Sequence, residues 1–244
     1  MTRFLTIVLT LTAVCGIYAA EYALNVQNFS SLTVIDGISV DYCQRPDSAG
    51  WARFECEPDI ASKIMFSNDR DKLTIRTASE DTPLTGMPRV TVFSMTLRNI
   101  ENDGDSLLRV EFNDKVETLS VRQIGNGRIE VRGIDADDMQ AGVAAGCGTV
   151  DIAGHTGKLK LKNIGAGHLD AADMVATEVK CYLFGSGPIH CSPAEKLTIY
   201  GAGSGHVILH TAPAKISNRA IGVGVHPYGD CSRADQEAML DRRD

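Results

Sequence analysis

The chain has 244 residues, with Lys+Arg 24 against Asp+Glu 31 and a formal net charge of -7. Apolar residues make up 43% and charged residues 23%, a globular balance that excludes a disordered chain. The acidic total argues against a general nucleic-acid binder, which needs a basic face for phosphates, and 23 glycines with one Trp favour turn-rich β architecture over a helical bundle.

In chain order, residues 1–20 read as an export signal. Arg3 precedes an apolar run at residues 4–14 (FLTIVLTLTAV), followed by the small residues Gly16, Ala19 and Ala20. The run is shorter than the ~20 residues a membrane-spanning helix needs, and no later segment is longer. The mature protein is therefore expected to be exported, to the periplasm, cell surface or medium, without a transmembrane segment. Thr12 to Cys15 also resembles a bacterial lipobox, in which Cys15 would be acylated. Val14 is bulkier than the small residue that position takes, so cleavage near Ala19 or Ala20 is preferred.

Residues 21–230 are expected to form one β domain, with a polar tail at 231–244 (CSRADQEAMLDRRD) left as a cap or a frayed end. Within it, residues 21–118 read as irregular lead-in strands at 31–43, 52–56, 63–66, 73–77, 90–97 and 107–112. Cys43 and Cys56 flank a turn rich in Pro, Asp and Gly, where a hairpin disulfide is expected. No Cys-x-x-Cys occurs, which excludes a zinc knuckle or a thioredoxin-type site.

From residue 119 to 230 the chain repeats. Gly-x-Gly begins at Gly125, Gly146, Gly165, Gly185, Gly203 and Gly222, separated by 21, 19, 20, 18 and 19 residues. Apolar-x-apolar triplets precede the glycines, as in Leu119-Ser120-Val121, Leu159-Lys160-Leu161, Val179-Lys180-Cys181 and Leu197-Thr198-Ile199. Similar alternation follows them, as in Ile129-Glu130-Val131 and Val150-Asp151-Ile152. Period two means half-buried strands, and glycine between two strands permits a tight turn. Strand, turn and strand every ~20 residues describes coils of a parallel β-helix, in which the stack buries what one coil cannot. No copy gives GxGxxG or GxxxxGKS, so a nucleotide loop is excluded.

This pattern resembles the autotransporter-adhesin head domain family, the GIN domain. The matching elements are Phe29-Ser30-Ser31-Leu32-Thr33-Val34, Leu108-Arg109-Val110-Glu111-Phe112, Val116-Glu117-Thr118-Leu119 and the GxG series, with the full GSG form at Gly185-Ser186-Gly187 and Gly203-Ser204-Gly205. The resemblance covers about residues 29–228. It implies a single-stranded right-handed parallel β-helix, a secreted or cell-surface setting in Gram-negative bacteria and an adhesive role, with no catalytic residues and no cofactor. Two departures are Cys147 inside a turn and Gly142, which falls where other coils have an inward apolar residue.

Stacked coils place equivalent residues about 4.8 Å apart. One expected outward column is Lys160, Lys180 and Thr198, beside Lys162, Tyr182 and Tyr200. Such a strip suits an anionic polysaccharide or sugar rings, and equally suits a plain strand surface guarded by lysine. A second column, Glu130, Asp151, Asp170 and His190, would repel itself unless screened or bridged by a cation such as Ca²⁺, and also resembles the acidic clusters of polysaccharide-cleaving enzymes. His168 and His206 lie two coils apart, too far to share a zinc ion, and read as solvated. Cys181 and Cys191 both point inward across one turn, either as a disulfide or as buried thiols. Cys147 and Cys231 have no assigned partner. The reading is a non-enzymatic, adhesin-like protein that binds a polysaccharide or host polymer and is open to homo-oligomer formation. The alternatives are a polysaccharide lyase or hydrolase and a structural envelope module.

Overall fold

The computed structural model describes residues 19–78 and 86–229. Residues 1–18 of the expected export signal, with Cys15, and residues 230–244, with Cys231 and the polar tail, lie outside the described residues, whereas Ala20 already belongs to the first strand. The chain is nearly all-β, a solenoid of about six turns with ~20-residue spacing. The strands are β1 (Ala20–Asn25), β2 (Ser31–Asp36), β3 (Val40–Cys43), β4 (Trp51–Cys56), β5 (Ile64–Asp69), β6 (Lys72–Thr77), β7 (Val90–Phe93), β8 (Asn99–Gly104), β9 (Leu107–Glu111), β10 (Val116–Gln123), β11 (Arg128–Val143), β12 (Thr149–Gly165), β13 (His168–Gly185), β14 (Ile189–Ala202), β15 (His206–Leu209), β16 (Lys215–Asn218) and β17 (Gly224–Pro227).

Parallel pairing runs from β8 and β9 through β10, β11, β12, β13 and β14 to β15, β16 and β17. Each long strand serves two walls, because the register shifts at Val131/Ile134 in β11, Asp151/Gly154 in β12 and Ala171/Val175 in β13. Inward positions stack as apolar ladders. Leu119, Met139, Leu159, Val179 and Leu197 form one, and Val121, Ala141, Leu161, Cys181 and Ile199 another, all buried. Burial on this scale supplies the stability that no single coil holds alone.

The lead-in is less regular because it closes the solenoid's first end. β2 and β3 join the parallel stack, split by a turn at Asp36 (φ 67°) inside the expected 31–43 strand. β1 pairs antiparallel with β4, β4 with β7, and β5 with β6, so antiparallel strands cover that edge. This geometry corrects the expected hairpin disulfide. Cys43 stands level with Phe93 at one end of β7, whereas Cys56 lies three residues past Arg53, which faces Thr91. The two side chains sit at opposite ends of β7, and both are free thiols.

The glycine turns follow from how closely the coils approach. A side-chain carbon at Gly187 would run into the carbonyl oxygen of Gly167 in the coil below, and one at Gly185 (φ 149°) into that of Gly165. Inside the turns, buried amides close the carbonyls: Asn163 Nδ2 donates to Gly167 O at 2.8 Å, Asn102 Nδ2 to Ser106 O at 3.1 Å and Gln123 Nε2 to Gly104 O at 3.2 Å. The expected inward gap at Gly142 is corrected: Ala141 and Val143 face inward, and Gly142 sits outward between Arg122 and Lys162.

Two predictions concern this scaffold. Gly187→Ala forces backbone against backbone and should cost at least about 2 kcal/mol, read as a lower urea midpoint. Buried Tyr42 donates its hydroxyl to Ser94 O at 2.7 Å. Burial pushes its phenol well above the ordinary range, partly offset by a backbone hydrogen bond with Leu97. Its protonated form therefore stabilises the fold below about pH 10, and this contribution is lost above that pH as the unfolded phenol ionises first. Tyr42→Phe should cost about 1–2 kcal/mol at pH 7 and flatten the loss of stability above pH 10.

Candidate binding face

Alternate residues of β10 through β14 point out of one wall, and the parallel register stacks them in columns. The first column is Ser120, Gln140, Lys160, Lys180, Thr198 and Ser217. The second, two residues on, is Arg122, Gly142, Lys162, Tyr182 and Tyr200, with Arg219 lying against Tyr200. The structure thus brings Lys160, Lys162, Lys180, Tyr182 and Tyr200 together on one surface.

Their geometry differs from flat rings offered to a sugar. Tyr182 and Tyr200 stack on each other at 5.3 Å between centroids and 18° between planes. Lys160 Nζ lies 5.3 Å from the Tyr182 centroid and the Arg219 guanidinium 5.9 Å from that of Tyr200. A cation therefore sits near each ring of the stacked pair. Beside the strip runs an open groove of about 400 Å³ lined by the cations Arg98, Lys158, Lys160 and Lys180 and by the carboxylates Asp138 and Glu178.

The charge pairing is uneven. At neighbouring positions of the same wall, cations meet carboxylates across coils: Lys158 with Asp138 at 3.9 Å, Lys196 with Glu178 at 3.7 Å, Arg122 with Glu101 at 3.6 Å. Lys160 and Lys180 face each other directly, with Lys162 two residues from Lys160. Among the described residues none of these three has a carboxylate within ion-pair distance. Like charges in register repel, so an anion laid over the strip relieves a cost already present in the fold.

The acidic column has the opposite character. Glu130 accepts Arg109 Nε at 3.1 Å and forms an ion pair with Arg128, whose Nε lies 2.8 Å from it. Asp151 receives Arg132 at 2.8 and 2.9 Å, plus Arg128 Nη2 at 3.2 Å. Arginines thus screen the repulsion within this column. Asp170 accepts the Ala172 N–H at 3.0 Å and lies 4.0 Å from His168 Nε2. The groove described above lies over the lysines, away from this column. Among the described residues, no group of three or more His, Cys, Asp or Glu is arranged to hold a metal ion.

The histidines are more ordered than the sequence reading allowed. His168 is half-buried and packs on His190 at 5.1 Å, and His190 Nδ1 meets His210 Nε2 at 2.9 Å. Tyr228 stacks on His210 at 4.3 Å, while His206 pairs with His226 at 5.3 Å. Sequence reasoning placed His190 in its column and missed His210, His226 and Tyr228, since they belong to the last coils, where strands shorten and the spacing drifts.

The five described cysteines are thiols. Cys181 and Cys191 meet in the core, and hydrogen bonding to Cys191, then burial, raise the Cys181 thiol well above its usual range. Cys147 is exposed on its turn. Peptide-mapped alkylation of the reduced native protein should therefore label Cys147 first and reach Cys181 and Cys191 only after unfolding. Equal labelling of all three in the native state would contradict this burial.

The family model described as "Putative auto-transporter adhesin, head GIN domain" matches residues 28–213. The fold is similar to a crystal structure of a "putative adhesin" from Bacteroides fragilis, with TM-score 0.71 and 16% identity over 86% of this chain and 95% of that chain. A "Putative lipid binding protein" from Parabacteroides distasonis gives TM-score 0.69 and 15% identity over 86% and 96%. A "putative adhesin" from Parabacteroides merdae gives 0.64 and 14% over 86% and 96%. No curated protein matches the chain. At these identities the likeness to solved structures concerns the fold alone. No helix among the described residues is long and apolar enough to cross a membrane.

Proposed function

The chain belongs to the family described as "Putative auto-transporter adhesin, head GIN domain", and from that premise we propose that it is an exported adhesin whose lysine and tyrosine wall holds an anionic polysaccharide. The signal-like residues 1–20 support export. The observation that carries the ligand class is the in-register Lys160–Lys180 pair, joined by Lys162, without carboxylate partners among the described residues. A polymer carrying carboxylate or sulfate groups would bridge these ammonium groups. The tyrosine hydroxyls offer hydrogen bonds beside them. A neutral glycan would gain little, because the tyrosine rings already stack on each other with Lys160 and Arg219 beside them.

The open groove along Arg98, Lys158, Lys160 and Lys180 gives such a polymer room to run along the stack. Adhesion needs no acid–base pair, and the two carboxylates of this groove, Asp138 and Glu178, are paired with Lys158 and Lys196. The test compares the protein with its Lys160→Gln, Lys180→Gln variant on an anionic polysaccharide and on a neutral one. The expected result is binding to the anionic polymer alone, weakened about tenfold in the variant and falling as salt is raised. Equal binding to the neutral polymer, or an unchanged variant, would overturn the proposal.

A further inference from the structure

The same wall carries a third column that the polysaccharide reading leaves unused. Two residues beyond Lys162, Tyr182 and Tyr200 stand Ile164, Phe184 and Ala202, in register with one another. Ala202 in turn bridges to Ile221. Ile164 is 36% exposed, Phe184 46% and Ile221 79%. Four adjacent coils thus present an apolar ridge to solvent, just before their glycine turns. Isolated exposed apolar residues need no explanation, but an aligned ridge does.

What lies beside the ridge identifies its partner. Moving across the wall from the turns, the side chains are apolar (Ile164, Phe184, Ala202, Ile221), then mixed cationic and aromatic (Lys162, Tyr182, Tyr200, Arg219), then cationic (Lys160, Lys180). None of these positions holds a carboxylate, in a chain of net charge -7, and in the next column Asp138 and Glu178 are paired with Lys158 and Lys196. This order matches the depth profile of an anionic bilayer surface: acyl chains, an interfacial zone that favours tyrosine, and phosphate headgroups. Long lysine stems can lie along the apolar boundary while their ammonium groups reach the phosphates. A protein partner would need a matching ridge and an acidic border. A lipid surface supplies both without a specific shape.

We propose that the Ile164–Phe184–Ala202–Ile221 ridge inserts shallowly into an anionic lipid surface, with Lys160, Lys162, Lys180 and Arg219 on the headgroups. The solenoid then lies sidelong, its axis parallel to the membrane plane. The inference shares its cations with the polysaccharide reading but rests independently on the ridge.

The test places a reporter on the ridge of the full chain, whose native sequence has a single tryptophan, Trp51. Phe184→Trp is mixed with vesicles of phosphatidylcholine, with or without phosphatidylglycerol, and compared with Val175→Trp. Val175 is 44% exposed on another wall, close to Asp135 and Asp137. The expected result is a blue shift in emission, with quenching by brominated lipid, for Phe184→Trp on phosphatidylglycerol vesicles only. Val175→Trp should not shift. Adding Lys162→Gln and Lys180→Gln to the Phe184→Trp chain should reduce the shift. An unshifted Phe184→Trp, an equal shift at Val175→Trp, or an equal shift on pure phosphatidylcholine would each overturn the proposal. Polysaccharide binding without a vesicle response would overturn this inference and leave the adhesive reading standing.

Discussion

The hydrogen-bonded stacking of one coil directly on the next sets every other property of this molecule. At about 4.8 Å per step, each residue is packed against its counterpart above and below, so a position must tolerate near-copies of itself. Apolar side chains meet that demand readily, which produces the buried ladders through Val121 and Leu119. Turn positions meet it only as glycine where backbones approach, as at Gly187 over Gly167. Polar side chains need a local acceptor, and Asn163 has one in the turn carbonyl four residues on.

Charges face the same demand on the outside. On the Glu130 and Asp151 side, arginines from the same and neighbouring coils interleave with the carboxylates, so the column is neutralised within the chain. Around Asp138, Lys158, Glu178 and Lys196, opposite signs pair across coils. On the same wall Lys160, Lys162 and Lys180 depart from this rule and stay without carboxylate partners among the described residues, while the whole chain is acidic. Exposed ion pairs contribute little to stability, so their pairing elsewhere and absence here bear more on recognition than on folding. The same wall grades into the Ile164 and Phe184 ridge, so surface chemistry is sorted by column across neighbouring coils.

Much of this was legible in the sequence, because a solenoid writes its fold as period. The GxG spacing gave the coil length, and the apolar-x-apolar triplets gave the inward positions. Together they placed Lys160, Lys180, Tyr182 and Tyr200 side by side. What escaped lies where the period breaks. β8 (NIENDG) carries polar Asn102 and Gly104 on its inner side, so alternation did not mark it. Gly142 was assigned inward because a one-residue phase error exchanges the two faces of a strand. The Cys43–Cys56 expectation assumed a local hairpin, whereas β4 pairs with β1 and β7 and carries Cys56 away. The stacking of the two tyrosines follows from their shared column, yet the cations beside them depend on rotamers that no pattern encodes.

The most direct test of the central claim is a lysine footprint. Acetylation of the folded protein, with and without a saturating anionic polysaccharide, is mapped by peptide mass spectrometry. Lys160, Lys162 and Lys180 should be protected together, while Lys63 and Lys72 of the lead-in are modified as before. Uniform protection, or protection centred on the lead-in lysines, would contradict the assignment of this wall as the binding face.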